Sequence, residues 1–271
     1  MKINLSIIVP VYNAKKSLVS CLSSVNNQIF KSDIKIEVLI IIDDGKSYEN
    51  IIPRMKSGIQ VKVLKTKGIK TGPGNARNVG IKKARGTYIG FLDADDEWSQ
   101  NYLENMYNLV KRYDLAFAPT RIYRNLKLVH EFKGFDKDYI NISDIGEVPC
   151  SFHPFVKREK QNEFWSLRSQ DVYNTANLLN KANTKIKMVT NGYYKLNLQD
   201  KSVTKEGGFS HKVDIAYRKY QIYSSKIGNY KIARVFALRR INNKKYTNWF
   251  EINKAGFYEF LSERKYSYER N

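Results

Sequence analysis

Short, nearly all-apolar runs recur through the first 120 residues, and apolar positions at helical spacing fill the stretches between them. Leu5-Ser6-Ile7-Ile8-Val9-Pro10 is one such run, stopped by proline, the pattern of a strand covered on both faces. Leu18, Cys21, Leu22 and Val25 then predict an amphipathic helix. Residues 36–42 form a second buried run that ends in Asp43-Asp44-Gly45. A weaker helix over 49–55, interrupted by Pro53, leads to a third strand at 61–64. Residues 67–74 are rich in Gly, Pro, Lys and Thr and predict a loop, and 75–84 resume helical character on a face of small residues. A fourth strand, 88–92, runs straight into Asp93-Ala94-Asp95-Asp96. Tyr102, Leu103, Met106, Tyr107 and Val110 give another helix, and 115–118 a further short strand.

Strands alternating with helices at these lengths predict βαβ units, right-handed crossovers and an α/β fold with a mostly parallel sheet. Chemistry in such sheets sits beyond the carboxyl ends of the strands. Three of the loops expected there are 10–13, 43–45 and 93–96, and two of them carry paired acids. Carboxylates that close raise one another's pKa unless a cation lies between them, and all-oxygen ligands suit Mg²⁺ or Mn²⁺.

After about residue 120 the alternation stops. Residues 123–132 predict a hairpin around Arg124-Asn125, 141–155 read as irregular, 170–182 as a helix, and 186–189 and 193–196 as short strands. The pattern divides the chain into an alternating region, 1–120, an irregular region, 121–215, and a basic, aromatic extension, 216–271.

Composition narrows the class. Hydrophobic content of 42% and charged content of 27% suit a globular chain, and 47 Lys+Arg against 26 Asp+Glu give a formal charge of +21. That excess favours polyanions: nucleic acid, anionic lipid or phosphate-bearing substrates. Cys21 and Cys150 are far apart, which argues against a disulfide framework and fits a reducing compartment. His130, His153 and His211 are too scattered to propose a zinc site. No apolar run is long enough to span a membrane, so the expected location is cytoplasmic, with any membrane contact peripheral at the inner face.

Four segments now occur in order: Ile7-Ile8-Val9-Pro10-Val11-Tyr12-Asn13, Ile42-Asp43-Asp44-Gly45, Asn75-Ala76-Arg77-Asn78-Val79-Gly80 and Phe91-Leu92-Asp93-Ala94-Asp95-Asp96. Together they resemble the bacterial family 2 glycosyltransferases, inverting enzymes of the GT-A fold. The resemblance is close over the first hundred residues and thin afterwards. It implies that Pro10, Val11 and Tyr12 lie along a nucleotide base, uracil by preference, and that Asp44 accepts a hydrogen bond from the base N–H. It further implies that Asp93-Ala94-Asp95 is an Asp-X-Asp motif, Asp93 facing the ribose and Asp95 holding the Mn²⁺ or Mg²⁺ that bridges the diphosphate, with both acids as metal ligands. Asp96 is expected to cap a helix. Arg77 is expected to contact a phosphate, or to pair internally with the second-strand acids.

The resemblance also implies a general base at Asp171, with Glu163 and Asp144 as reserves, and a nucleotide-sugar-binding role for 1–120 with acceptor binding in 121–215. Segments 193–197 and 202–204 resemble the family's closing segment. Gln170 and Asn197 depart from the family, standing where a glutamate and a metal-ligating histidine are usual. They make a weak or inactive relative one alternative; a nucleic-acid-binding module is another, for which the chain has no recognition motif. The implied reaction moves a sugar from a UDP-sugar to a hydroxyl of a surface glycan or lipid-linked acceptor. The basic, aromatic residues after 216 are expected to rest on anionic lipid.

Overall fold

The computed structural model describes residues 2–30, 33–134, 138–148, 150–198, 208–253 and 256–263. In chain order the first half carries β1 (Leu5–Val11), α1 (Leu18–Asn26), β2 (Ile36–Ile42), β3 (Ile59–Lys65), α2 (Pro73–Lys83), β4 (Tyr88–Phe91), β5 (Glu97–Trp98), α3 (Tyr102–Tyr113) and β6 (Leu115–Ala116). The second half adds β7 (Thr120–Arg124), β8 (Lys127–Phe132), β9 (Tyr139–Ile140), α4 (Ile142–Glu147), β10 (Phe155–Lys157), α5 (Gln170–Ala182), β11 (Ile186–Lys187) and β12 (Tyr194–Asn197). Three helices follow: α6 (Phe209–Lys226), α7 (Tyr230–Asn253) and α8 (Phe257–Glu263).

The main sheet has the order β3-β2-β1-β4-β10-β6. Strands β3, β2, β1 and β4 are parallel, with Ile8 of β1 opposite Leu39 of β2 and Phe91 of β4. Side chains alternate between the two faces, as a strand's period of two requires. Leu5, Ile7 and Val9 pack with Leu22 of α1 and Leu103 and Met106 of α3, while Ile8, Leu39 and Ile41 pack on the opposite side with Ala76 of α2. Burial on both faces is why these strands are apolar almost throughout.

Pro10 does not end β1, which continues to Val11. Pairing with β4 stops at Ile8, so the missing proline N–H removes no ladder bond. The helix expected over 49–55 is reduced to a single 3₁₀ turn, Glu49–Ile51, because Pro53 cannot donate the next helical bond. The hairpin forms as β7 and β8, and its two turn residues, Asn125 and Leu126, both have positive φ, as a two-residue turn matched to strand twist demands.

The segment 141–155 is more ordered than expected. Asn141 and Asp144 form a capping box on α4, and β10 inserts between β4 and β6, antiparallel to both. The parallel sheet thus draws one strand from beyond residue 120. A second sheet, β5-β12-β7-β8, extends from the acid loop. One apolar cluster runs from Ile8 through Val172, Tyr220 and Phe236 to Leu261, so the helical C-terminal part shares its core with one face of the main sheet. The helix α6 begins at Phe209 and carries the 215/216 boundary in its interior.

Candidate active site

Asp43 and Asp44 leave β2 together and do different work. Asp43 is buried: Oδ1 accepts from Thr66 Oγ1 (2.8 Å), Thr71 N (2.9 Å) and Thr71 Oγ1 (2.6 Å), and Oδ2 from Gly72 N (2.8 Å). It therefore organises the loop that delivers α2. Asp44 faces the edge of the sheet. Its Oδ2 accepts from Tyr48 Oη (2.7 Å) and Asn13 N (2.9 Å), and its Oδ1 from Lys46 N (3.0 Å). Burial opposes ionisation, but these hydrogen bonds outweigh it and hold the carboxyl below the usual range. Asp44 also fixes the turn after β1. In that turn Tyr12 is exposed and Pro10 half-buried, whereas Val11 is 1% exposed and belongs to the core. With its side chain packed in the core, Val11 faces the turn's open side through its backbone.

Helix α2 lies close on β1 because Gly80 has no side chain: a Cβ there would sit 2.5 Å from Ile8 Cγ2. That approach brings Arg77, 2% exposed, to the acid loop, where Nη2 donates to Asp93 Oδ1. The acid that Arg77 pins is thus on the β4 loop and not on the second strand. Burial disfavours the guanidinium charge, but Asp93 and then Asp171 restore it and raise its pKa. For Asp93, burial is again outweighed, here by Arg77 and His153, and the carboxyl is held far below its ordinary value.

Asp95 is exposed, and its carboxylate accepts no hydrogen bond from another residue among those described. Crowding by protein around its carboxyl, and next the Asp93 charge, push its pKa up to about 6. A carboxylate disfavoured in this way and open to solvent has the character of a ligand for a hard cation. No group of three or more His, Cys, Asp or Glu suited to a metal occurs among the described residues. Phosphate oxygens and water would have to complete such a shell, as is usual for Mg²⁺. Ala94, between the two acids, is buried.

Asp96 is not a helix cap. It is 4% exposed, accepts from Tyr194 Oη (2.8 Å) and Asn197 N (2.9 Å), and so ties β12 to the acid loop. Tyr194 Oη also accepts from Asp93 N (3.1 Å). Asn197 donates from Nδ2 to the Asp95 carbonyl (3.1 Å) and to Glu97 Oε1 (2.9 Å), which puts it beside the acids as expected. The 202–204 segment lies outside the described residues.

The second half reaches the site through α2. Asn78 Nδ2 donates to Phe164 O (2.9 Å) and its Oδ1 accepts from Phe164 N (2.7 Å), while Phe164 lies edge-on to Phe91. Gly74 makes room for this arm, since a Cβ there would meet Trp165 O at 2.5 Å and Gln170 Cγ at 3.2 Å. The start of α5, with Asp171 in its first turn, is thereby set against the start of α2. The Asp171 carboxylate has no hydrogen-bond partner among the described residues, and Gln170 Oε1 is buried without one. The two reserve bases are elsewhere. Asp144 is buried in its capping box, and Glu163 is an exposed partner of Lys82 at the far end of α2.

Sequence reasoning set His153 aside with the other histidines. It is 7% exposed, stacks on Tyr194 (4.3 Å between centroids), and has Nε2 3.5 Å from Asp93 Oδ2. Neither ring nitrogen has a hydrogen-bond partner among the described residues. One histidine between two prolines-worth of irregular chain offers no periodic signal. Asn78 lies within the Asn75–Gly80 segment, and an asparagine in a helix interior is its only sequence cue.

A family model described as Glycosyl transferase family 2 matches residues 6–182, well over half of the chain. The chain belongs to glycosyl transferase family 2. Among curated relatives, the amylovoran biosynthesis glycosyltransferase AmsB of Erwinia amylovora is 34% identical over 116 residues, 41% of this chain and 37% of that protein. The minor teichoic acid biosynthesis protein GgaA of Bacillus subtilis is 38% identical over 116 residues, 38% of this chain and 24% of GgaA. The β-1,3-glucosyltransferase WfgD of Escherichia coli, named for UDP-Glc and a GlcNAc-diphosphoundecaprenol, is 31% identical over 125 residues, 46% of each chain. The aligned stretch spans less than half the length of each of these relatives. This family 2 member also has the fold of S. aureus TarS 1–349, at a TM-score of 0.69 and 19% identity, over 96% of this chain and 78% of that one. The TarS complex with UDP-GlcNAc gives 0.68 over the same shares. The GT-A-type architecture expected from the sequence is therefore observed.

Proposed function

We propose that this family 2 member is an inverting, metal-dependent glycosyltransferase that moves a sugar from a UDP-sugar to a hydroxyl of a surface-glycan or lipid-linked acceptor. The observation that carries the reading is the meeting of Asp44, the Arg77–Asp93 pair and the exposed Asp95 at one sheet edge, with Asp171 at the adjoining helix start. Asp44, held ionised, accepts the uracil N3–H, with Pro10 and Tyr12 against the ring. Asp93, fixed by Arg77, takes a ribose hydroxyl. Asp95, with Asp93 beside it, would hold Mn²⁺ or Mg²⁺; when bound, the ion supplies positive charge for the diphosphate as it leaves.

The acceptor hydroxyl attacks the anomeric carbon from the face opposite the diphosphate. The new C–O bond forms as the bond to the diphosphate oxygen breaks, which inverts the configuration, and the hydroxyl proton passes to Asp171. The UDP-sugar names on WfgD and on the TarS complex support the choice of donor. A thermal-shift screen of nucleotide sugars with Mn²⁺ tests it. Stabilisation by one UDP-sugar, lost in Asp95→Ala, is the expected result; a response confined to purine nucleotides, or one identical in Asp95→Ala, overturns it.

A further inference from the structure

Of the basic and aromatic residues expected to form a surface after residue 216, several turn inward. Tyr220 and Phe236 are fully buried, and Arg239 is 8% exposed with its guanidinium on the carbonyls of Ile145, Val148 and Cys150. Arg240 pairs with Asp214. What is left outside is more selective. On α6, Val213, Ala216, Tyr217, Tyr220 and Ser224 form the buried stripe. Ile215, Lys219, Ile222 and Lys226 follow one another at spacings of four, three and four, which sets them on one outward stripe. On α7, Tyr230, Arg234, Ile241 and Lys245 form a second exposed stripe.

A groove lies between the two helices, and of the stripe residues Ile241 lines it. A channel of about 510 Å³ runs between the helices, lined on one side by His211, Asp214 and Gln221 and on the other by Arg240, Ile241 and Lys244. Large apolar side chains stand in solvent on the outward faces of the two helices and at the connecting turn: Ile215 (44% exposed), Ile222 (45%), Ile227 (49%), Tyr230 (72%) and Ile241 (54%). Arg218, Lys219, Lys226, Arg234, Lys244 and Lys245 stand exposed among them. No Asp or Glu occurs between Asp214 and Glu251.

We propose that the outer face of the α6–α7 hairpin docks on an anionic lipid bilayer, its isoleucines and Tyr230 entering the head-group boundary and its lysines and arginines meeting lipid phosphates. The charge complements an anionic surface, and the acid that lines the groove, Asp214, is paired with Arg240. Isoleucine at the centre of each basic stripe decides between two polyanions. A phosphate backbone rewards cations and aromatic stacking and gives exposed aliphatic chains nothing to enter, whereas an acyl boundary rewards both. Two helices of 18 and 24 residues make a platform about 27 Å or more in length. The inference is independent of the donor assigned above.

Co-sedimentation with vesicles tests it, using phosphatidylcholine alone and phosphatidylcholine with about one third phosphatidylglycerol, on the full chain. Wild type is expected to bind the anionic vesicles at least roughly tenfold better than the neutral ones, with the difference shrinking in high salt. Ile222→Asp/Ile227→Asp and Lys219→Glu/Lys226→Glu should each lower binding about tenfold or more. All four side chains are exposed, so folding should be unchanged, which circular dichroism and the melting temperature verify; a UDP-induced thermal shift retained in both variants separates this inference from the donor reading. Equal binding to neutral vesicles, binding indifferent to both double variants, or tight duplex DNA binding without vesicle binding overturns the proposal.

Discussion

Arg77 and Asp93 are a charge pair in which the cation is inside the protein and the anion half outside. Removing Arg77 leaves Asp93 with its principal partner gone, and removing Asp93 leaves a guanidinium that is 2% exposed uncompensated. Arg77→Ala should cost about 2–4 kcal/mol in urea unfolding, near the lower end of the range for breaking a buried pair because Asp93 is part-solvated. The double variant Arg77→Ala/Asp93→Ala should cost less than the sum of the two. Asp95 behaves in the opposite sense. Its folded-state pKa of about 6 lies above the unfolded value, so the folded chain keeps a proton that the unfolded chain releases as pH rises from about 4 to 6. Stability without metal should therefore fall across that window. Asp95→Asn should remove the fall and gain at most roughly 1 kcal/mol at pH 7–8, once solvent screening of an exposed group is discounted. A melting series from pH 4 to 8 without metal checks the sign. With Mn²⁺, UDP binding should instead weaken as pH drops below 6, since the proton competes for the same oxygens.

Elements set these residues, and their contribution is read in how few bonds join them. The arm 161–170 is held to α2 by the two hydrogen bonds of Asn78, the exposed Glu163–Lys82 pair and the fit at Gly74. Asn78→Ala should cost about 1–2 kcal/mol and lower transfer while UDP binding persists, because it frees the arm that leads to Asp171 and leaves intact the Asp44 edge proposed to hold the base. Asp171→Asn should lower turnover by about a hundredfold or more with the melting temperature unchanged; unaltered turnover would move the base elsewhere. The parallel strands and their acids were legible because burial on both faces and the end of burial are written locally, as in Ile36–Ile42 running into Asp43-Asp44. The exchange of roles within an acid pair was not. Asp43 and Asp44 are adjacent and alike, and only the loop at Thr66–Gly72 decides which one is saturated. His153 and β10 were illegible for the same reason: three residues of strand and one ring acquire meaning only from β4 and Tyr194, which are remote in sequence.

At the scale of the whole molecule, the C-terminal helices are part of the fold. Arg239 of α7 donates to three carbonyls in 145–150, the stretch that leads to His153. Arg239→Leu should therefore destabilise by about 3 kcal/mol or more, since three buried acceptors lose a charged donor. Among the described residues no helix is long and apolar enough to cross a membrane. The positive charge of the sequence stands on exposed side chains such as Lys219, Lys226 and Lys245, while Arg77 and Arg239 face inward as structural donors.

The position of β10 bears on how the chain is made. A chain growing from its N-terminus completes β1 to β4 and then β6, yet β6 has no neighbour in the main sheet until residues 155–157 slide in between it and β4. Until then the inner edge of β4 stands open, an apolar template on which another nascent chain could pair. Closure of that gap is a long-range event, expected to come late and to limit the folding rate. A fragment cut at residue 120 would keep the acid loop in its sequence and expose that edge, so such fragments should aggregate where the full chain does not.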